Sequence, residues 1–126
     1  MFIPLGGVAW DYLQYVIGLS KLGYDVYYHE DTNIWPYHPV EKQNTSDATY
    51  SVQFIDKFFK KYSVDLSKKW HYCHLGEKSF GMSKIKFEDI AKTADLYINV
   101  SGNNIIPEKL NEKCIKIFLD KVPGYN

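Results

Sequence analysis

The sequence has few cysteines, no excess charge of either sign and no long uninterrupted apolar run, and each absence excludes a class of protein. Two cysteines in 126 residues are too few for a disulfide framework. Fifteen basic side chains balance fifteen acidic ones, so the composition indicates no nucleic-acid partner and no anionic membrane. Asp11 and the pair Gly6 and Gly7 interrupt the apolar residues 2–22, so no transmembrane segment or signal peptide is expected. We therefore expect a cytoplasmic protein.

Apolar and aromatic side chains are plentiful enough for one folded core. Hydrophobic residues make up 45% of the chain, aromatic residues 17% and charged residues 24%. This composition is too apolar and too weakly charged for a disordered chain. A length of 126 residues fits one domain, since domains usually have about 100–200 residues.

Apolar residues at three- and four-residue steps predict three helices. In the first of them Gly18 lies in the interior, which suggests close packing against a sheet, and Gly23 is placed to end the helix as a left-handed cap. Because Trp10 and Leu22 widen its apolar stripe, we expect this helix to be buried on most sides. The predicted helices span residues 8–22, 48–62 and 84–93.

Runs of β-branched and aromatic residues predict the strands, and their order predicts an α/β fold. Two late strands, joined by a polar loop and a short helix at 107–111, indicate a parallel strand–helix–strand unit. Trp35 to Pro39, with two prolines, is predicted to be an extended loop. The fold class predicted is a partial Rossmann-like, doubly wound parallel sheet with flanking helices. The predicted strands are 24–29, a hairpin of 70–74 with 79–82, and the parallel pair 96–100 and 114–119.

Both ends of the sequence look abrupt for such a sheet. Residues 2–7 are predicted to be a loop that leads directly into a helix, although an α/β domain usually opens with a strand. Residues 120–126 resemble a loop that follows a strand and stops. We therefore expect the first strand to be missing, and residues 1–126 to form an incomplete N-terminal domain of a longer, two-domain protein.

Four polar or glycine-containing loops are expected at the carboxyl edge of the predicted sheet, where open α/β sheets bind ligands. Small residues allow a ligand close to the backbone, free amides at a helix start attract anions, and hydroxyls, amides and carboxylates bond to hydroxyl groups. Each loop also has a simpler interpretation as a turn or a solvated segment. The candidate substrate-binding residues are Gly6, Gly7, Glu30, Asp31, Thr32, Ser101, Gly102, Asn103 and Asp120.

Two further features, of which the first lies near this edge, have two interpretations each. Asp11, about one turn into the first helix, is a candidate catalytic base, but a carboxylate there also stabilises a helix N-terminus. The aromatic residues between Trp35 and Pro39 are suited to stacking on a sugar or a base, or to forming a small hydrophobic cluster under a loop.

No metal site is expected. His71, Cys73 and His74 offer three ligands within four residues, but a structural zinc site normally takes four ligands from two separated pairs. The other cysteine, Cys114, is predicted to be a buried strand residue. The sequence also has no G-x-S-x-G motif of the kind that carries a nucleophilic serine.

Short motifs follow one another in a defined order and spacing at residues 4–10, 14–15, 18–19, 22–28, 30–32, 35–37, 94–102 and 117–120. Together they resemble the N-terminal part of bacterial GT-B-type glycosyltransferase-like proteins. The likeness is good at both ends of the chain and loose over residues 41–83. The family typically has an Asp-x-Asp-Pro motif after its last strand, whereas Val122 stands at the second acidic position here.

The resemblance implies an acceptor-side, Rossmann-like domain of a metal-independent enzyme with no bound cofactor. A C-terminal domain of the same protein would hold most of the nucleotide sugar, the co-substrate, and transfer to an acceptor would take place between the domains. The first hypothesis is therefore a piece of a glycosyltransferase that is inactive alone. The alternatives are a non-catalytic doubly wound domain that binds a phosphate-bearing small molecule, and a structural or partner-binding domain.

Overall fold

The computed structural model describes residues 6–100, 102 and 104–119, with side chains from Ala9 onward. It divides into two compact units, of which the first ends at Met82 and the second begins at Ser83. The helices described are α1 Gly6–Lys21, α2 Thr49–Tyr62 and α3 Lys84–Thr93. The strands described are β1 Tyr28–Glu30, β2 Tyr37–His38, β3 Gln43–Asn44, β4 Trp70–His74, β5 Lys78–Gly81, β6 Leu96–Val100 and β7 Ile115–Leu119.

The described strands form three small sheets. In the first unit β1 pairs in parallel with β4, β4 pairs antiparallel with β5, and β2 and β3 form a short antiparallel hairpin. In the second unit β6 and β7 form a parallel pair. The predicted mixed α/β class with parallel strands is therefore confirmed, and so is the hairpin of β4 and β5. The two parallel pairs belong to separate sheets, and the doubly wound arrangement stays a prediction.

Helix α2 has the amphipathic pattern that the sequence predicts. Ile55, Phe58 and Phe59 are buried, whereas Lys57 and Lys60 on the other side are exposed. Its apolar face packs with one face of α1 and with the sheet of β1, β4 and β5 in one hydrophobic core. The buried residues of this core are Ala9, Leu13, Val16, Ile17, Ala48, Ile55, Phe58, Phe59, Leu66, Trp70 and Tyr72.

Helix α1 differs from its prediction in two respects. It is buried on one face only, since Trp10 is 41% and Leu22 is 75% exposed, so the expectation of burial on most sides was wrong. It also begins at Gly6, so Gly6 and Gly7 are helical rather than part of a loop. The first turn of a helix uses no intrahelical N–H bonds, and sequence patterns therefore locate such starts poorly.

Three segments outside the helices were also predicted differently. The strand predicted at 24–29 is shorter and later, because the backbone of Tyr24 closes the end of α1. Residues 107–111 form a turn, with Leu110 N donating to Pro107 O at 3.2 Å, because five residues are too few to repay helix nucleation. In the predicted loop of residues 35–39, Tyr37–His38 is a strand paired with β3.

Helix α1 ends in a Schellman motif. Tyr24 N donates to Leu19 O at 3.2 Å and Gly23 N donates to Ser20 O at 3.0 Å. Gly23 has a φ of +95°, so its predicted role as the left-handed cap is confirmed. Gly18 does not pack closely against a sheet as expected, since a Cβ placed there would meet no atom within 4 Å.

These two glycines predict opposite effects of the same substitution. We expect Gly18→Ala to raise the free energy of unfolding by about 0.5–1 kcal/mol, because alanine favours a helix interior and space is available. We expect Gly23→Ala to lower it by about 1 kcal/mol, because alanine is strained at a positive φ. Urea denaturation of both variants measures the effects, and a change of the same sign in both would contradict this account.

Candidate functional site

The carboxyl ends of the parallel strands β1 and β4 bring together the side chains that are best placed for chemistry. Glu30, the last residue of β1, lies opposite Tyr72 of β4. The side chain of Glu30 is only 3% exposed, and the Tyr28 hydroxyl donates a hydrogen bond to its Oε1 at 2.5 Å. Burial, followed by the nearby Glu30 carboxylate, raises the pKa of Tyr28 well above its usual range. Tyr28 therefore stays protonated and remains a donor to Glu30.

A second phenol and a histidine continue this cluster along β4. Burial, and then the charge of Glu30, raises the pKa of Tyr72, so its hydroxyl also keeps its proton. His74 Nε2 lies 2.5 Å from the carbonyl oxygen of Ser46, which can only accept, so Nε2 carries the hydrogen. In the neutral ring Nδ1 is then an acceptor, and it lies 3.4 Å from the Tyr72 hydroxyl. We call Tyr28, Glu30, Tyr72 and His74 the carboxyl-end cluster.

The loop after β1 continues the polar surface beyond Glu30. Asp31 and Thr32 are half-buried, and the Thr32 hydroxyl accepts a hydrogen bond from Ile34 N at 3.3 Å. The charges of Glu30 and Asp31 both contribute to the raised pKa of Tyr72, which places Asp31 in the electrostatic environment of the carboxyl-end cluster. Asp31 and Thr32 therefore follow the buried Glu30 at the end of the parallel pair, where their partly exposed carboxylate and hydroxyl can bond to the hydroxyl groups of a ligand.

The opposite face of the same sheet carries a histidine pair. His29 and His71 lie opposite each other on β1 and β4, and their Nδ1 atoms are 3.0 Å apart. The ring planes differ by 11° and the centroids are 5.1 Å apart, so the rings meet edge to edge. Ser79 Oγ lies 2.8 Å from Nε2 of His71, which is 2% exposed. Burial, and then the neighbouring His71, lowers the pKa of His29 to about 3, so His29 is neutral at pH 7.

The residues predicted for substrate binding fall into three groups. Glu30, Asp31 and Thr32 lie together at the end of β1, and Gly6 and Gly7 form the start of α1. Gly102 follows β6 in the second unit, with a φ of +74°. That these loops share one edge stays a prediction. Ser101, Asn103 and Asp120 lie outside the described residues.

The candidate base Asp11 is an exposed residue of α1. It lies more than one helical turn after Gly6, so it is beyond the first residues whose N–H groups lack intrahelical partners. The earlier start of α1 therefore argues against the interpretation that Asp11 stabilises the start of the helix. Its catalytic role stays a prediction.

Sequence reasoning named Glu30 but missed the other three residues of the carboxyl-end cluster and the histidine pair. On β4 it considered His71, Cys73 and His74 together. Side chains alternate along a strand, so His71 and Cys73 face one side of the sheet and His74 faces the other. The three ligands of the run therefore do not converge. The described residues contain no group of three or more potential ligands that could hold a metal ion. Residues 28–30 and 70–74 are two short runs in which aromatic and polar side chains alternate. This alternation could have indicated the two strands that the structure pairs.

Comparison of this chain with protein-family models, with curated proteins and with solved structures finds no match. A separate observation concerns membranes: within the described part of the chain, no helix has the length and apolar character needed to cross a bilayer.

Proposed function

We propose that this chain is the acceptor-side part of a GT-B-like glycosyltransferase, which transfers a sugar from a nucleotide sugar to an acceptor. The observation that carries the proposal is the buried Glu30 carboxylate, held by the Tyr28 hydroxyl at the carboxyl end of two parallel strands. Asp31 and Thr32, which follow Glu30 in the chain and are half-buried, would supply a carboxylate and a hydroxyl to a polyhydroxylated ligand. The order and spacing of the sequence motifs support the same assignment.

The roles of the residues follow from their positions. Asp31 and Thr32 would orient acceptor hydroxyls, because carboxylates and hydroxyls accept hydrogen bonds from O–H donors. Glu30 is buried, and the protonated Tyr28 hydroxyl would keep its carboxylate in a fixed position. Asp11 is the candidate general base, which would take the proton from the attacking acceptor hydroxyl. The nucleotide sugar would be held mainly by a second domain, so we expect no transfer by this chain alone.

The electrostatics of this edge favour a sugar over a phosphate-bearing ligand. Glu30 is buried and Asp31 is half-buried, so their charges are poorly screened by water. A phosphate close to these carboxylates would be repelled, whereas neutral sugar hydroxyls would be attracted. Binding of a phosphate-bearing small molecule is therefore the weaker of the two candidate functions.

Ligand-induced stabilisation tests this proposal. We expect at least one methyl pyranoside or disaccharide to raise the melting temperature of the 126-residue chain, because a ligand that binds only the folded state stabilises it. Asp31→Asn should weaken that binding about tenfold, since one charge-assisted hydrogen bond contributes about 1.5 kcal/mol. Asp65→Asn, at an exposed residue of the 3-10 turn Val64–Leu66, is the matched control and should leave binding unchanged.

Two results would contradict the proposal. Stabilisation by nucleotides or inorganic phosphate, with none by sugars, would favour the phosphate-binding domain instead. Equal sugar binding by Asp31→Asn and Asp65→Asn would show that the carboxyl end of β1 is not part of the sugar site. A radiolabelled nucleotide sugar measures transfer directly, and turnover by this chain alone would contradict the expected need for a second domain.

A further inference from the structure

Trp35 is an exposed indole that neither the hydrophobic core nor the carboxyl-end cluster includes. Its side chain is 54% exposed. The indole makes no ring contact and no hydrogen bond with any residue that the structure describes. Trp10, the other exposed tryptophan, differs because its ring packs against Phe58 and Tyr62 at centroid distances of 5.2 and 4.9 Å. The exposure of Trp35 is therefore not explained by the packing of the first unit.

The backbone on both sides of Trp35 is fixed. On the carboxyl side Pro36 is fully buried, its carbonyl accepts a hydrogen bond from Thr45 N at 2.8 Å, and the β2–β3 hairpin follows. On the amino side Asn33 has a φ of +54°, a left-handed conformation that asparagine tolerates better than most residues. A loop held in this way loses little conformational freedom when a ligand binds.

The same loop connects this indole to the polar residues at the end of β1. Asp31 and Thr32 precede Trp35 by four and three residues, and the Thr32–Ile34 hydrogen bond fixes the turn between them. One short loop therefore carries a carboxylate, a hydroxyl and an exposed aromatic ring within five residues, and this combination suits a sugar site. The ring covers the C–H face of a pyranose, and the polar groups bond to its hydroxyls.

We propose that Trp35 is a stacking platform for a pyranose ring of the acceptor, with Asp31 and Thr32 as hydrogen-bonding partners of that sugar. The proposal rests on the proposed function and names the acceptor class for its site. A nucleobase also stacks on indole, but a nucleotide carries phosphates toward Glu30 and Asp31, where like charges repel. A neutral pyranoside carries only hydroxyl donors and acceptors, which suit these side chains.

The indole N–H signals in a ¹H–¹⁵N spectrum of the 126-residue chain test this proposal. The chain has three tryptophans, and Trp35→Phe identifies the signal of Trp35 by its loss. The titrants are methyl glucoside, methyl galactoside, methyl mannoside and methyl N-acetylglucosaminide, with uridine and adenosine as the nucleobase comparison. We expect at least one pyranoside to shift the Trp35 signal saturably and to leave the other two indole signals in place.

Three variants separate this proposal from the proposed function. Trp35→Ala should raise the Kd for the pyranoside about tenfold, the upper range for one aromatic contact. Asp31→Asn should also weaken binding, whereas Trp10→Ala, which removes the other exposed indole, should not. Because Trp35 is exposed and outside the core, its variants should retain the wild-type backbone spectrum.

Three other outcomes would contradict the stacking platform, the kind of ligand that it binds, or the sugar site as a whole. If Asp31→Asn weakens pyranoside binding and Trp35→Ala does not, the stacking platform is wrong and the proposed function stands. If only uridine or adenosine shifts the Trp35 signal, the ligand of the indole is not a sugar. If no pyranoside binds, both the platform and the proposed sugar site are wrong.

Discussion

Substitution of Gly81 by alanine is expected to lower the free energy of unfolding by about 3 kcal/mol or more. Gly81 ends β5 with a φ of +78°, and a Cβ there would lie 2.4 Å from the carbonyl oxygen of Trp70 and 2.6 Å from Cε3 of its indole. Backbone strain and overpacking each cost about 1–3 kcal/mol. Urea denaturation, monitored by circular dichroism, measures the loss.

Trp70 has little freedom to move away from an added methyl group. Its ring is buried, and its Nε1 donates to Ser67 O at 3.0 Å. Its carbonyl oxygen accepts a hydrogen bond from Met82 N at 2.9 Å, so a shift of the backbone would break this contact. Relaxation is therefore expected to disturb the β4–β5 pairing rather than to relieve the clash.

Gly76 supplies the matched control for this prediction. It also has a positive φ, +72°, but a Cβ there would meet no atom within 4 Å. Gly76→Ala should therefore cost only the conformational strain, about 1 kcal/mol. The difference between the two variants isolates the clash with Trp70. Equal destabilisation by both would show that the close approach at Gly81 has no energetic effect.

The sequence predicted elements well wherever one period dominated the pattern. Helices α2 and α3 lie where the apolar spacing placed them, because each has its buried residues on the apolar face. Strand β6 lies where its run of β-branched and aromatic residues placed it. The cap at Gly23 was predictable as well, because only a residue that tolerates positive φ fits there. The α/β class followed from the order of these elements.

Strands that pair with distant segments of the chain were predicted poorly. β1 has only three residues, and its pairing with Trp70–Tyr72 comes from partners about 42 positions away. No local pattern specifies that register. The hairpin of Tyr37–His38 with Gln43–Asn44 was missed for the same reason, since its strands of two residues have no measurable period.

Only part of the candidate site could be predicted, because some of its contacts also depend on strand register. Glu30, Asp31 and Thr32 followed from the rule that ligands bind at the carboxyl ends of parallel strands. The contribution of Tyr28 and Tyr72 could not be predicted from this rule. The Tyr28–Glu30 hydrogen bond requires both side chains to lie on the same face of the strand, and the position of that strand was uncertain by several residues. The opposed histidines His29 and His71 required the register of β1 on β4.

Acidification from pH 7 to pH 5 is expected to lower the free energy of unfolding by about 2 kcal/mol through His29 alone. The pKa of His29 is lowered to about 3 in the folded protein, whereas an unfolded histidine has a pKa of about 6.5. Above pH 6.5 both states are neutral at this residue, and its contribution is constant. As the pH falls below 6.5 the unfolded state takes up a proton that the folded state does not, so stability is lost progressively toward pH 3.

The geometry of the pair explains why the folded state resists this proton. The Nδ1 atoms of His29 and His71 are 3.0 Å apart, so one hydrogen fits between them and two do not. A cationic His29 would also lose hydration in its partly buried position. The window between pH 7 and pH 5 lies above the range in which ordinary carboxylates titrate, so the slope there reports histidines.

Urea denaturation at constant ionic strength, at several pH values between 7 and 5, measures this slope. His29→Gln removes the titrating group and keeps a hydrogen-bonding side chain, so we expect it to be less stable at pH 7 but to lose about 2 kcal/mol less than the wild type on acidification. His38→Gln removes a histidine of the β2–β3 hairpin instead and should keep the wild-type slope. If His29→Gln and the wild type lose stability equally between pH 7 and pH 5, the lowered pKa of His29 is not the cause of the loss. If the slope disappears only in His29→Gln, the register that places His29 opposite His71 is supported in solution, and with it the position of Glu30 at the end of β1.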